Sequence, residues 1–123
     1  MKQINYWKIE DGVLKSYVGN NRGVVVPYGV KAIGESAFSR YEILRSIELP
    51  DNVTSIGDNA FAVCKNLTSI NIPDSVTSIG GKAFAYCKNL KSISIPSSVT
   101  SIGKDAFFEC DNLTNPPSET KWC

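Results

Sequence analysis

Apolar and polar positions along this chain return in the same order every 23 residues. From Pro50 it reads PDNVTSIGDNAFAVCKNLTSINI, and from Pro73 it reads PDSVTSIGGKAFAYCKNLKSISI. The apolar positions of the first copy are Val53, Ile56, Ala60, Phe61, Cys64, Leu67, Ile70 and Ile72. So few hydrophobes cannot offset the entropy of ordering a whole unit. Each copy must therefore bury its open faces on its neighbours, which is the logic of a solenoid. Within a unit, Leu67–Ile72 alternates apolar and polar as a strand with one buried face does, and Pro73 stops it. Val76–Ile79 is a second short extended piece, and Gly80 permits a turn after it. Ala83–Cys87 fits one short helical turn, with Asn89 as a left-handed stop before Leu90. Each coil is thus expected to run strand, bend, short strand, helical turn and return.

The ends of the repeat read differently. Asp11-Gly12 is a two-residue hairpin signal between extended runs. It predicts pairing of Glu10 with Val13, Ile9 with Leu14, Lys8 with Lys15 and Trp7 with Ser16. Trp7, Ile9 and Leu14 then share the face that covers the first coil, and Tyr6 lies opposite Tyr17 on the other. Residues 19–23 form a loop by composition, and Val24-Val25-Val26 stands 23 residues before Ile47-Glu48-Leu49. Pro27–Leu49 is the least faithful unit, with Tyr41 in place of the cysteine and Ile43 in place of the asparagine. In the unit from Pro96, Thr114-Asn-Pro-Pro-Ser118 replaces the last strand, and two prolines there block further pairing. The expected organisation is one domain over 1–123. A hairpin cap and first ladder strand occupy 1–26, repeats 27–113, and a stop and tail 114–123, with Trp122 folding back over the last coil.

Composition narrows the role. A net charge of +1 without a basic cluster argues against nucleic-acid binding. No apolar run reaches the 18 or so residues of a membrane span. The opening MKQINYWKIEDG has no apolar h-region, so no signal peptide is expected, and the chain, if complete, would be cytoplasmic. Cys64, Cys87 and Cys110 are 23 residues apart. Coils about 4.7–4.9 Å apart would point these thiols in parallel, too far apart for a disulfide. A ladder of reduced, buried thiols is expected, and no zinc site, because four converging ligands are lacking and the chain has no histidine.

The pattern IP-x-x-V-T-S-I-G-x-x-A-F-x-x-C-x-N-L-x-S-I-x-I resembles BspA-like leucine-rich repeats, a bacterial type of about 23 residues. The segment I-E-D-G-V-L-K-S-Y-V-G ahead of V-V-V-P is similar to the lead-in of such repeats. The resemblance covers about Tyr6 to Leu113. It implies an α/β solenoid: a short right-handed leucine-rich-repeat arc with a parallel strand ladder, short helical turns on the outer side and an N-terminal β-hairpin cap. It also implies that the S-I-x-I strand lines the concave side. Members are mostly secreted or cell-surface proteins linked with adhesion and protein binding.

Without histidine, imidazole general-base and Ser-His-Asp chemistry are excluded. Glu35, Asp58 and Asp105 recur near the turn at varied offsets, and Asp58 suits a helix start. No cofactor is implied. Function is therefore expected on surfaces, at positions that vary between copies. The concave strand offers Arg45, Thr68 and Lys91 in one column, Ser46, Ser69 and Ser92 in the next, and Glu48, Asn71 and Ser94 in a third. The helical edge offers Val63, Tyr86 and Phe108 as a partly apolar strip, or as residues buried between neighbouring turns. The reading is a non-enzymatic protein-binding module with a protein partner, adhesin-like or inhibitor/adaptor-like. The alternative is a structural or self-associating repeat fragment without a dedicated ligand.

Overall fold

Period-2 alternation and the 23-residue repeat produce two parallel ladders in the computed structural model, which describes residues 4–114. Its strands are β1 (Asn5–Glu10), β2 (Val13–Gly19), β3 (Gly23–Val25), β4 (Ala32–Ile33), β5 (Ser46–Glu48), β6 (Ser55–Ile56), β7 (Ser69–Asn71), β8 (Ser78–Ile79), β9 (Ser92–Ser94) and β10 (Ser101–Ile102). One sheet has the order β1-β2-β4-β6-β8-β10 and the other β3-β5-β7-β9. Val24 pairs with Ile47, Ile47 with Ile70 and Ile70 with Ile93, each at the repeat offset. Ile33, Ile56, Ile79 and Ile102 align likewise in the other sheet. All these side chains point inward and are buried, because strand residues alternate between faces.

Phe38, Phe61, Phe84 and Phe107 form a parallel stack through the core, with centroids 5.2, 5.3 and 5.5 Å apart and planes within 5°. The coil rise sets that spacing. Polar ladders run beside it. Asn66, Asn89 and Asn112 donate through Nδ2 to the carbonyls of Glu42, Lys65 and Lys88 in the preceding coil at 2.7–2.9 Å. The hydroxyls of Thr54, Thr77 and Thr100 donate to the carbonyls of Lys31, Thr54 and Thr77. Asn89 is thus a bridge between coils and not the left-handed stop expected of it.

The expected helical turns are absent: no helix occurs among the described residues, so the fold there is strands and turns. Backbone hydrogen bonding gives the reason. The amides of Ala37, Ser39 and Tyr41 donate to Gly34, Ser36 and Phe38, three residues back, at 3.1–3.2 Å. The intervening amides of Ser36, Phe38 and Arg40 donate instead to Asp58, Ala60 and Ala62 of the next coil, at 2.7–3.0 Å. An α-helix uses every interior amide for its own i→i−4 bond. A segment that gives alternate amides to its neighbour cannot be helical. The left-handed residues that permit this zigzag are Ser36, Arg40, Asn59, Val63, Lys82, Tyr86, Asp105 and Glu109, with φ of 56–65°.

The hairpin turns at Asp11-Gly12, both at positive φ. Its register follows expectation only as far as Ile9↔Leu14. A bulge between Lys8 and Ile9 then shifts it, so that Lys8 pairs with Ser16, Trp7 with Tyr17 and Tyr6 with Val18. Tyr6 therefore does not face Tyr17. The extra residue lets Leu14 and Tyr17 both turn inward, although they are three apart. Leu14 is buried and Trp7 half-buried, whereas Ile9 is exposed. The Tyr17 ring packs 4.6 Å from Trp7 and 5.4 Å from both Phe38 and Tyr41. Tyr41, the substitute for cysteine, bonds through its hydroxyl to the Asn21 carbonyl and so ties the loop before β3 to the first coil. The proline stop and the Trp122 contact lie outside the described residues.

Candidate functional site

Parallel register brings the predicted strand residues into columns. Arg45, Thr68 and Lys91 precede β5, β7 and β9, while Glu48, Asn71 and Ser94 close them, and all six are exposed. The Thr68 hydroxyl is already engaged, donating to the Arg45 carbonyl at 3.3 Å. A shallow groove lies over β3, β5 and β7, lined by Gly23–Val25, Ser46–Glu48 and Ser69–Asn71. Of the predicted residues, Ser46, Glu48, Ser69 and Asn71 line it, whereas Arg45, Thr68, Lys91, Ser92 and Ser94 do not. The sequence reading missed Val25, two-thirds exposed, and Arg22, exposed just before β3. The signal was present: subtracting one period from Glu48 and Arg45 arrives at these two positions.

Val63, Tyr86 and Phe108 sit on the zigzag turns. Tyr86 and Phe108 meet edge to face at 5.6 Å and 84°. Val63 is half-buried one coil earlier in the Tyr86 column and belongs to no ring contact. Val63 and Tyr86 both have φ of 62°, unusual for a β-branched or aromatic residue. Phe108 occupies a column in which Ala62 and Ala85 are buried, yet remains 45% exposed. Lys88 lies 5.9 Å from the Tyr86 centroid and bonds to Asp111 at 3.1 Å and Glu109 at 3.4 Å. The Asp111 carboxylate is the largest influence raising the pKa of that ammonium. These pairs, like Lys65–Glu42 at 3.4 Å, are exposed and hold little energy.

The cysteines form the expected ladder in a specific way. Sγ of Cys64, Cys87 and Cys110 donates to the carbonyls of Phe38, Phe61 and Phe84 at 3.2, 3.1 and 3.0 Å. All three are free thiols. Burial pushes Cys64 up to about 12 and Cys110 to about 11, and pushes Cys87 up further still. Such groups stay protonated and unreactive at neutral pH. Asp58 caps no helix; its Oδ1 accepts from the Gly81 amide of the next coil at 2.8 Å. Among the described residues no three potential metal ligands converge, and no helix is long and apolar enough to cross a membrane.

Comparison with known proteins agrees with this repeat geometry. The family profile described as BspA type leucine rich repeat region matches residues 8–120 in six copies. The chain belongs to that family. The T. pallidum leucine-rich repeat protein is 30% identical, superposes with a TM-score of 0.82 and aligns over 89% of this chain. A leucine-rich repeat protein from Bacteroides capillosus is 29% identical with a TM-score of 0.78, covering 92% of this BspA-type chain and 95% of its own. A leucine-rich cell surface protein from Faecalibacterium prausnitzii is 26% identical, with a TM-score of 0.67 over 92% of this chain. The chain spans 55% of the T. pallidum protein and 42% of the F. prausnitzii one. Comparison with curated protein sequences found no match. BspA-type repeats are generally protein-interaction or surface-related and typically non-enzymatic.

Proposed function

We propose that this BspA-type chain is a non-enzymatic protein-binding module whose partner rests on the outer face of the β3-β5-β7-β9 sheet. The observation that supports this reading is the groove over β3, β5 and β7, where exposed positions of a rigid ladder stand in register. Inward residues of the same strands are committed to the core, so the outward columns can vary without cost to the fold. In this reading residues 1–123 are one domain, with 1–26 capping the stack, 27–113 forming the repeats and 114–123 ending them. Display at a cell surface, as in the F. prausnitzii relative, belongs to the same proposal.

Affinity capture from the source cells with the intact chain tests it, repeated with Val25→Asp, Asn71→Arg and Tyr86→Ser. The expected result is one protein recovered by the wild type and by Tyr86→Ser and lost with the two groove variants. Recovery indifferent to the groove variants refutes the assignment.

A second reading, self-association, has its own support at the last coil. Phe107 is only half-buried at the end of the aromatic stack, and the amides of Asp105, Phe107 and Glu109 have no partner among the described residues. Mass that rises with concentration in light scattering supports this reading, and a strict monomer at high concentration opposes it.

A further inference from the structure

Ionic side chains around the β3-β5-β7-β9 sheet are sorted by sign. Arg22, Arg45 and Lys91 share one register position, immediately before a strand, where only Thr68 is neutral. Glu48 closes β5, and Asp51 and Asp74 stand three residues beyond the outward positions of Glu48 and Asn71. All six are exposed, and none forms an ion pair among the described residues. Between the two margins the outward column is Gly23, Ser46, Ser69 and Ser92, without charge. Three residues of extended chain place Arg45 and Glu48 about 10 Å apart along the strand. In the first coil the acidic positions are taken by Val25 and Tyr28, exposed by 66% and 88%.

We propose that the occupant of the groove is an extended polypeptide segment, lying across the strands along the stack, in which acidic and basic side chains alternate. Its acids face the Arg22, Arg45 and Lys91 margin and its bases face Glu48, Asp51 and Asp74. An apolar residue at one end meets Val25 and Tyr28. Extended chain sends successive side chains to opposite sides, which is the two-sided pattern these margins require. A uniformly charged ligand gains from one margin and is repelled by the other, since both lie within roughly one Debye length of the groove. Order in the ligand is therefore recognised, beyond its composition. This inference rests on the sheet face being the binding surface.

The test uses fluorescein-labelled peptides with the intact chain, read by anisotropy at low ionic strength. One peptide alternates Lys and Glu after an N-terminal Leu, and a second has the same residues in two blocks. The alternating peptide is expected to bind saturably and about tenfold or more tighter than the blocked one, weakening as salt is added. Arg45→Glu and Asp74→Lys are each expected to weaken it about tenfold, while Lys104→Glu, outside both margins, leaves it unchanged. Equal binding of the two peptides overturns the proposal. So does tightest binding by an all-Glu peptide that Asp74→Lys improves, the behaviour of a plain cationic strip, and so does no binding by any peptide. In these cases loss of the captured partner by Val25→Asp still supports the sheet face as a binding surface, so the two failures are distinguishable.

Discussion

Gly80 and Gly81 are adjacent, yet alanine at each should have opposite consequences. A Cβ on Gly80 would lie 2.5 Å from the Asp58 amide nitrogen and 2.6 Å from the Gly57 carbonyl carbon of the preceding coil. Those are backbone atoms, held in place because the Gly80 amide donates to the Ile56 carbonyl at 2.7 Å. Relief of the clash requires the coils to part locally. Overpacking of this kind costs about 1–3 kcal/mol, and the rigid neighbour puts Gly80→Ala toward the upper end. For a chain of this size, a loss of about 2–3 kcal/mol lowers Tm by roughly 10 °C. At Gly81 the nearest atom to a Cβ is the Lys104 carbonyl oxygen at 3.3 Å, and φ is not positive. The same column carries Asp58 and Lys104 in the flanking coils, so a side chain is already accommodated there. Gly81→Ala should leave stability unchanged or raise it by up to about 1 kcal/mol, through lower entropy of the unfolded chain. Urea titrations followed by circular dichroism compare the two. Gly80→Ala as stable as wild type, or Gly81→Ala the worse of the pair, would refute the close-approach argument.

Val63→Asn should stabilise the fold by about 1 kcal/mol, since a left-handed conformation costs an ordinary residue roughly 1–2 kcal/mol and Asn adopts it more readily. An unchanged or lower urea midpoint would count against it. Asn89→Ala leaves the Lys65 carbonyl without its side-chain donor and should cost about 1 kcal/mol, measured in the same titration. For the thiols, the folded pKa of Cys64 stands at about 12 against an ordinary 9.0. A raised folded pKa contributes stability that is fully present below the unfolded value and lost as pH rises through the folded one. Stability should therefore fall between pH about 9 and 12, and the Cys64→Ala/Cys87→Ala double variant should show a shallower fall in denaturant titrations across that range. Labelling of Cys64 and Cys87 by a thiol reagent at neutral pH should follow unfolding, whereas fast labelling of the native chain would show that they are accessible.

Much of the fold was legible because a repeat reports geometry redundantly. Three copies of the Ser-Ile-x-apolar alternation, at 46–49, 69–72 and 92–95, give the inward Ile47, Ile70 and Ile93, and the offset alone puts Val24 beside Ile47. What misled was local resemblance. Ala-Phe-Ala-Tyr-Cys has helical propensity, but propensity is a weak prior when neighbouring coils compete for the amides. The hairpin bulge was hidden for a similar reason. Nothing near Lys15 signals it, and the extra residue is explained by the burial of Leu14 and Tyr17 together against the first coil. The groove was partly legible: Ser46, Glu48, Ser69 and Asn71 were named, while Val25 was passed over because it was read as part of the cap.

By itself, the sequence determined the period, the inward frame, the free thiols in one column and the family, since each follows from residues that recur at a fixed spacing. Tertiary structure alone decided where the backbone amides go. Alternate amides of the turns before the last described one cross to the next coil, which removes the helix and forces Val63 and Tyr86 into the left-handed region, while close contact with the preceding coil requires glycine at 57, 80 and 103. It also decided that a groove lies over the outward positions of β3, β5 and β7. Neither outcome is a property of one unit; both arise only when a second coil lies against the first.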